Sequence, residues 1–295
     1  MTDNSWTLGI IGGSGLYDIE GLENTQWIEI ETPWGKPSDA ILFAELDGVK
    51  LRFLPRHGRG HVHSPTSVNY RANIDALKRA GCTDLLSLSA VGSLQEQYAP
   101  GDFVLIDQFI DRTFAREKSF FGEGMVAHVS TADPICERLS KLAGDAAIKA
   151  GAKVHRGGTY LAMEGPQFST RAESNMYRSW GCDVIGMTNM PEAKLAREAE
   201  LPYATVAMIT DFDCWHPDHG NVDVAAVIAT LMKNADAAKG TVREIIKTIS
   251  ETPRTPTKQG IETNLDVALI TAPEARDPQT LAKLDAILKR VLASS

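Results

Sequence analysis

Long apolar runs are absent from this 295-residue chain, and none approaches the ~20 residues that a membrane-spanning helix requires. The first residues, MTDNSWTLG, also lack the basic segment and apolar core of a secretory signal peptide. We therefore expect a soluble, cytoplasmic protein that has no membrane partner.

Cysteine is scarce and scattered. The four cysteines are Cys82, Cys136, Cys182 and Cys214, and no two of them form a C-x-x-C pair. This spacing argues against a structural zinc site, and thiols in a cytosolic chain stay reduced.

An excess of positive charge is also lacking. Lys and Arg number 30 against 38 Asp and Glu, which gives a formal net charge of −8. A nucleic-acid partner would require a basic face, so we expect none. A small anionic ligand remains compatible with this balance, because it needs only a local cationic pocket.

Strand-like apolar runs alternate with helical patterns along the chain, which predicts an α/β fold. The predicted strands are Leu8–Ile11, Ile41–Leu46, Val49–Leu54, Leu85–Val91, Phe103–Ile110, Tyr160–Met163, Val184–Met187 and Tyr203–Thr210. The predicted helices are Val68–Arg79, Pro134–Ala150, Arg171–Trp180, Glu192–Glu198 and Val222–Ile249. Asp47-Gly48 is a hairpin turn signal, so the central sheet should be mixed and flanked by helices.

The composition changes after Ser250, where ETPRTPTKQG predicts a loop. An apolar run, Leu265–Thr271, and a helical pattern, Leu281–Leu292, follow it. This tail is too small for a core of its own. We predict one domain over residues 1–295, whose C-terminal extension (251–295) packs on the domain or on a neighbouring subunit.

The first segment that could carry chemistry is IIGGSGLYD, where a strand runs into a glycine-rich turn that bears Ser14. Backbone N–H groups of such a turn and the Ser14 hydroxyl can bind an anion. The third glycine of a dinucleotide fingerprint and a Walker lysine are both missing, and a plain tight turn is the alternative.

The second segment is LPRHGRGHVHSP, which crowds Arg56, His57, Arg59, His61 and His63 into one loop. Three histidines suggest a metal, but the interleaved arginines oppose a cation and favour phosphate or another oxyanion. A solvated basic loop is the alternative.

Three further segments place small or polar side chains at predicted strand ends. They are LSLSAVGSL with Ser89 and Ala90, MEGPQFSTRAE with Glu164 and Phe168, and VIGMTNMPEAKLAREA with Met187 and Thr188. Ligands of α/β sheets bind at this edge, although each segment alone also fits a plain strand exit. Ser169 or Thr170 can cap the helix that begins near Arg171.

The sixth segment, MITDFDCWH, ends an apolar run on Asp211 and Asp213. A metal site, with the nearby His216, Asp218 and His219, is one interpretation. Two carboxyl groups on one face of a strand would also raise the pKa of one of them. A carboxylic acid that stays protonated near neutral pH can donate a proton to a leaving group.

Taken together, these segments resemble the family of trimeric purine nucleoside and methylthioadenosine phosphorylases. The resemblance is carried by GIIGGSGLYD, ETPWGKPSD, RHGRGH, VNYRANI, PGDFVLIDQFIDRT, EGPQFSTRAES, MTNMPEAKLARE and TDFDCW, in this order, from about Gly9 to about Lys233. It implies a purine nucleoside phosphorylase-like fold and phosphorolysis of methylthioadenosine to adenine and 5-methylthioribose 1-phosphate. No metal and no organic cofactor are expected, and inorganic phosphate is the co-substrate.

The resemblance also implies roles for individual residues. Phosphate would be held by Ser14, Arg56, His57, Ser89, Ala90 and Thr188. The ribose would meet His61 and Met187, and the base would meet Phe168 and Ser169. Asp211 would address N7 of the purine and Asp213 its 6-amino group. A homotrimer with shared sites would add His128 and Leu269 from an adjoining subunit, and Val224, Val227 and Leu269 would line a methylthio slot.

Substrate choice depends on the same strand end. Family members that act on 6-oxopurines carry Asn where Asp211 stands, so the resemblance favours an adenine nucleoside. Gly186 departs from the animal members, which carry Asn there. The rival interpretations are a 6-oxopurine or methylthioinosine phosphorylase, a non-catalytic purine or phosphate sensor, and a metallohydrolase that uses the histidine loop.

Overall fold

The computed structural model describes residues 5–13, 15–218, 220 and 222–293. In these residues one mixed sheet of eleven strands forms the centre of the molecule. The strands are β1 (Thr7–Gly12), β2 (Glu23–Ile28), β3 (Ile41–Leu46), β4 (Val49–Pro55), β5 (Asp84–Ser93), β6 (Phe103–Leu105), β7 (Gln108–Asp111), β8 (Val154–Arg156), β9 (Thr159–Ala162), β10 (Val184–Gly186) and β11 (Tyr203–Asp211).

Strand β5 is the longest and lies at the centre of the sheet. It pairs in parallel with β1 through its first residues and with β11 along most of its length. Its last residues, Gly92 and Ser93, pair with β10 in the antiparallel direction. The main path of the sheet is β2-β3-β4-β1-β5-β10-β9-β7, and β11 connects β5 to β6 and β8. β1, β4, β5 and β11 therefore present their carboxyl ends at one edge.

The predicted hairpin is confirmed, because β3 and β4 pair antiparallel across Asp47 and Gly48. The prediction of one strand over Phe103–Ile110 is wrong: β6 ends at Leu105 and β7 begins at Gln108. Between them Asp107 accepts a hydrogen bond from the Gly158 N–H at 3.1 Å, where the chain changes its partner strand. Hydrophobicity alone does not reveal such a change. Strands β2 and β8 were not predicted, because β2 is a polar edge strand and β8 has only three residues.

Helices cover the sheet. They are α1 (Tyr70–Arg79), α2 (Glu137–Lys149), α3 (Arg171–Ser179), α4 (Asn189–Glu198), α5 (Val224–Ser250), α6 (Leu265–Ala268), α7 (Pro278–Lys283) and α8 (Lys289–Ala293). Thr170 caps α3 in a capping box with Glu173, and the Asp223 carboxylate caps α5. In the described part of the chain, no helix has the length and apolar character to span a membrane.

The segment after α5 packs on the same body. Arg254 pairs with the buried Asp84 at 2.5 Å, and Arg290 pairs with the buried Glu200 at 2.7 Å. Leu265, Leu284 and Leu288 are fully buried in the hydrophobic core. These contacts join the C-terminal extension to β5 and to the end of α4.

Candidate active site

Most of the predicted site residues lie at the shared edge of the sheet, and the sheet register explains why they meet. Ser89 and Ala90 are near the end of β5, and Asp211 ends β11. Strand β10 runs back along β5, so that Thr188, two residues after β10, comes alongside Ser89. Residues almost 100 positions apart in sequence thus form one site.

Asp211 and Asp213 form a buried carboxyl pair at the end of β11. The Thr210 hydroxyl donates to Asp211 Oδ2 at 2.7 Å, and the Asp213 N–H donates to Asp211 Oδ1 at 2.7 Å. β11 does not continue to Asp213, which instead adopts a left-handed conformation with φ 51°. The two carboxyl groups are therefore brought together by a turn rather than by a shared strand face.

The environment of this pair favours the protonated forms. Burial raises the pKa of Asp211. Burial, with a further contribution from the Asp211 carboxylate, raises the pKa of Asp213 to about 6. Asp213 Oδ2 and the Ser174 hydroxyl are among the buried polar atoms that make no well-formed hydrogen bond to the described residues, and the Ser174 and Ser169 side chains partly oppose the rise in the pKa of Asp213. Buried polar atoms without partners are costly, so these two atoms are ready to bind a polar ligand.

Three hydroxyl groups meet on the other side of the same edge. Ser89 Oγ lies 3.0 Å from Thr188 Oγ1 and 3.3 Å from the Tyr160 hydroxyl. The Thr188 N–H points to the Tyr160 hydroxyl at 3.5 Å. We call Ser89, Tyr160 and Thr188 the hydroxyl cluster. These uncharged hydroxyl groups can donate hydrogen bonds to an anion.

Arg56 lies beside the cluster, but most of its N–H groups are already hydrogen-bonded within the protein. Its Nε and Nη2 atoms donate to the two oxygens of Glu192 at 2.7 and 3.0 Å, and Nη2 also donates to Ser87 at 2.6 Å. Nη1 donates to the Leu88 carbonyl at 3.2 Å. Since a guanidinium has five N–H groups, this leaves one Nη1 hydrogen for a ligand among the bonds to described residues. Glu192 thereby neutralises most of the local charge.

The histidine loop is ordered by contacts within the chain. His57 Nδ1 lies 2.9 Å from the His63 carbonyl, and the His57 and His61 rings stack 4.3 Å apart. Burial, with the nearby Arg56 cation, lowers the pKa of His57 to about 4. His57 is therefore neutral near pH 7 and donates through Nδ1–H to the carbonyl. Arg59 is paired with Asp39 at 2.8 Å and rests over the Trp27 ring.

Ser169 lies near the carboxyl pair, and Phe168 precedes it in the chain, whereas Met187 lies beside Gly165 and accepts a hydrogen bond from Arg116 through its carbonyl. The Cys214 thiol donates to the Ser169 carbonyl at 3.3 Å, and Ser169 Oγ contacts the sulfur of Met163 at 3.6 Å. Phe168 is 44% exposed, although its neighbours are partly covered. An exposed aromatic ring at this edge has a free face for a planar ligand.

The remaining predicted residues lie outside this centre. Val224 and Val227 are in the first turn of α5, and Val224 is exposed. The His128 N–H donates to the Ala268 carbonyl at 2.9 Å, which places His128 beside Leu269. Ser14 lies outside the described residues.

Arg116 was missed by sequence reasoning, yet it joins two of the site segments. Its guanidinium donates to the carbonyls of Glu164, Met187 and Met190 at 2.7, 2.6 and 2.7 Å. It also pairs with the Glu164 carboxylate at 3.1 Å and is almost fully buried. No sequence pattern around IDRTFAREK indicates these partners, since four of them are backbone or distant groups.

Metal ligands are not gathered here. The described residues contain no group of three His, Cys, Asp or Glu side chains that could hold a metal ion. His219, one of the residues weighed for a metal, lies outside the described part of the chain. His216 instead bonds to Glu96 at 3.1 Å.

Comparison with known proteins identifies the class of protein that this sheet and site define. A sequence model of the phosphorylase superfamily matches residues 7–247. The S-methyl-5′-thioadenosine phosphorylase of Cereibacter sphaeroides is 65% identical over 285 residues, which cover 97% of this chain and 98% of that protein. The enzyme of the same name from Rhodospirillum rubrum is 60% identical over 289 residues, with 97% of both chains covered. The chain belongs to the phosphorylase superfamily and, within it, to the family of these S-methyl-5′-thioadenosine phosphorylases.

Solved structures agree with this assignment and confirm the predicted fold. A methylthioadenosine phosphorylase from an Antarctic soil metagenomic library superposes with a TM-score of 0.90 at 49% identity and covers 97% of this chain and 99% of its own. The Schistosoma mansoni methylthioadenosine phosphorylase, solved in complex with adenine, gives a TM-score of 0.80 at 37% identity over 88% and 96% of the two chains.

Proposed function

We propose that this protein cleaves S-methyl-5′-thioadenosine with inorganic phosphate, releasing adenine and 5-methylthioribose 1-phosphate for purine and methionine salvage. The observation that carries the proposal is the pair of the half-buried Asp211 and the buried Asp213, two carboxyl groups with raised pKa values at the edge that also holds the hydroxyl cluster. The names of the relatives point to the same substrate.

The chemistry requires charge to be managed at both ends of the scissile bond. Cleavage of the C–N bond leaves positive charge on the sugar and negative charge on the purine. A protonated Asp211 donates to N7 and neutralises the leaving base. Asp213 Oδ2, buried without a partner among the described residues, accepts from the 6-amino group. Burial raises the pKa of both carboxyl groups, which makes it easier for the pair to take up a proton.

Phosphate attacks the sugar from the opposite side. The hydroxyls of Ser89 and Thr188, the remaining Nη1 hydrogen of Arg56 and the backbone at Ala90 hold it, and neutral His57 accepts through Nε2 from a protonated phosphate oxygen. The family resemblance assigns Ser14 to the same subsite. His61 and Met187 hold the ribose, and Phe168 packs on the base with Ser169 nearby. No metal or organic cofactor takes part.

A substrate panel tests the proposal. Initial rates should be measured with methylthioadenosine, adenosine, inosine and methylthioinosine, each with and without phosphate. We expect phosphate-dependent release of adenine from methylthioadenosine, with the inosine compounds much slower and no effect of a chelator. Preference for the inosine compounds would indicate a 6-oxopurine phosphorylase, and binding without base release would indicate a sensor.

The variant Asp211→Asn tests the acid role of Asp211 separately from phosphate binding. An amide donates weakly to N7 and cannot transfer a proton, so we expect kcat with methylthioadenosine to fall by about 10²–10⁴-fold. The KM for phosphate should change far less. Equal losses in both parameters would contradict the role proposed for Asp211.

We further propose that the protein works in the cytoplasm as a homotrimer whose sites are shared between subunits. Three apolar residues at helical spacing on α5, Val224, Ile228 and Met232, are exposed, as are Val267 and Ile270 around Leu269. Apolar patches of this kind mark subunit contacts. His128 lies beside Leu269, so one subunit would lend both residues to the site of its neighbour.

A further inference from the structure

Gly186 is the last residue of β10, and the structure accounts for a glycine at this position. A Cβ atom built on Gly186 would lie 2.0 Å from the hydroxyl oxygen of Tyr160 and 2.6 Å from the ring carbon that bears it. It would also lie 3.2 Å from a methyl group of Val91. The phenol of Tyr160 thus occupies the space that any side chain at position 186 would need.

Tyr160 is fully buried on β9, and its hydroxyl faces Ser89 and Thr188 rather than solvent. A buried tyrosine hydroxyl normally has a hydrogen-bond partner, and the partners of Tyr160 are Ser89 Oγ at 3.3 Å and the Thr188 N–H at 3.5 Å. Phe109 packs against the other part of the ring, with the centroids 5.5 Å apart. The ring is therefore held from two sides.

The hydrogen-bond directions in the cluster follow from what each group can do. A backbone N–H can only donate, so Tyr160 accepts from Thr188 and its own hydrogen is directed to Ser89 Oγ. Ser89 Oγ and Thr188 Oγ1 share one hydrogen bond at 3.0 Å, so one hydroxyl hydrogen of this pair remains for a ligand. Ser89 can also turn its hydrogen toward the Ala90 carbonyl, 3.4 Å away. An anion needs a donor, and the hydrogen from Tyr160 favours the arrangement in which the pair provides one.

We propose that Tyr160 is a positioning residue of the phosphate subsite, which orients the hydroxyls of Ser89 and Thr188 toward the anion and requires glycine at position 186. This inference rests on the proposed function, since phosphate is the anion expected there. Tyr160 acts through its two neighbours and not through the base.

Tyr160→Phe removes only the hydroxyl and keeps the ring that fills the core. Ser89 Oγ, which already bonds to Thr188 Oγ1 at 3.0 Å, then loses the phenol as a donor, and its own hydrogen can turn to the Ala90 carbonyl at 3.4 Å rather than to phosphate. We expect the KM for phosphate to rise about five- to thirtyfold, the loss of one to two hydrogen bonds, while the KM for methylthioadenosine changes less than about twofold. Tyr98→Phe is the matched control, because Tyr98 packs on His155 away from the cluster and should leave both values unchanged.

The link to Gly186 is tested by a double-mutant cycle. Gly186→Ala places a methyl group against the phenol, so we expect the KM for phosphate to rise about tenfold or more. In a Tyr160→Leu background the shorter side chain leaves room, and Gly186→Ala should add little. A full Gly186→Ala penalty in that background, or none in the wild-type protein, would overturn the proposal.

A measurement without turnover separates this inference from the proposed function. Phosphate should raise the Tm of the wild-type protein at constant ionic strength, and the rise should be smaller for Tyr160→Phe than for Tyr98→Phe. If wild-type protein shows the phosphate effect but releases no base, the proposed function fails while the role of Tyr160 stands. An unchanged phosphate effect, or equal rises in both KM values, in folded Tyr160→Phe would overturn the role of Tyr160.

Discussion

Asp213 combines two unfavourable properties in one residue. Its backbone is left-handed, with φ 51°, and its carboxyl is buried beside a second carboxyl. Aspartate tolerates the left-handed region better than most residues, so the electrostatic part carries most of the cost. Residues that destabilise the fold in this way often serve a ligand.

Asp213→Asn measures that cost. The folded-state pKa of Asp213 is raised from 3.8 to about 6, so the carboxylate lowers stability progressively as pH rises from about 4 to 6, and by a constant amount above that. We expect the variant to be more stable than wild type by about 1–3 kcal/mol at pH 7.5, with the gain disappearing near pH 4. Thermal unfolding at the two pH values checks this.

Asp47→Asn is the control for the backbone effect. Asp47 has the same φ of 51° in the exposed turn between β3 and β4. It should change stability little at either pH. A loss of stability in Asp213→Asn at pH 7.5 would show that hydrogen bonding at this site outweighs burial of charge.

Residue patterns indicated the acids of the candidate site more readily than the residues that support them. Apolar runs that end on Asp211, Ser89 or Glu164 predicted polar groups at the ends of strands, because such groups stand out in sequence. Tyr160 and Arg116 did not stand out. Their partners are Gly186, a backbone N–H and four carbonyl or carboxylate groups, which only the folded chain brings near.

At the scale of elements, Arg116 fixes the end of β9 to the segment between β10 and α4. Among the partners of Arg116 in the described residues, Glu164 supplies the carboxylate, and Glu164, Met187 and Met190 supply carbonyl groups. Burial alone would raise the pKa of Glu164. The Glu164 carboxylate accepts hydrogen bonds from Thr66, from the Phe114 and Ala115 N–H groups and from Arg116, and together these lower its pKa to about 2. The two segments therefore keep their places around Met187 and Thr188.

Arg116→Met should be strongly destabilising, since it leaves the Glu164 carboxylate and several carbonyls buried without their donor. We expect a loss of about 3–5 kcal/mol in the free energy of unfolding, measured by denaturant titration. Arg59→Met is the comparison, because Arg59 is 49% exposed in its pair with Asp39 and should cost about 1 kcal/mol or less. Similar losses in the two variants would show that Arg116 is not a tie between elements.

Element boundaries were predicted where local chemistry sets them. The hairpin at Asp47-Gly48 and the cap of α3 at Thr170 follow from residues within a few positions of each other. The division of Phe103–Ile110 into β6 and β7 does not, because it depends on β8, β9 and β11.

At the scale of the whole molecule, the alternation of apolar runs predicted a mixed α/β sheet, but not its strand order. The antiparallel pairing of β10 with β5 decides which loops meet, and it depends on contacts across the entire chain. The resemblance to phosphorylases supplied the arrangement that periodicity could not.

Mixing two inactive variants tests the shared sites of the proposed trimer. Light scattering should give about three times the 32.0 kDa mass of the chain. His128→Ala and Asp211→Asn chains should each be weak, yet co-expressed in equal amounts they should recover up to about a quarter of wild-type activity in a closed ring with heterologous contacts. That fraction of sites combines an intact Asp211 with a neighbour's intact His128. A trimer without recovery would show that each site is built from one chain.

The central place of β5 also governs how the chain emerges during synthesis. Leu85 on β5 pairs with Tyr203 on β11, 118 residues later. At a translation rate of ~5–20 residues per second, one side of β5 stays unpaired for roughly 6–24 s after it leaves the ribosome. The longest strand of the sheet thus exposes one side to chaperones and to aggregation during this interval, and synonymous changes that slow translation between residues 94 and 202 should lower the soluble yield without altering the finished protein.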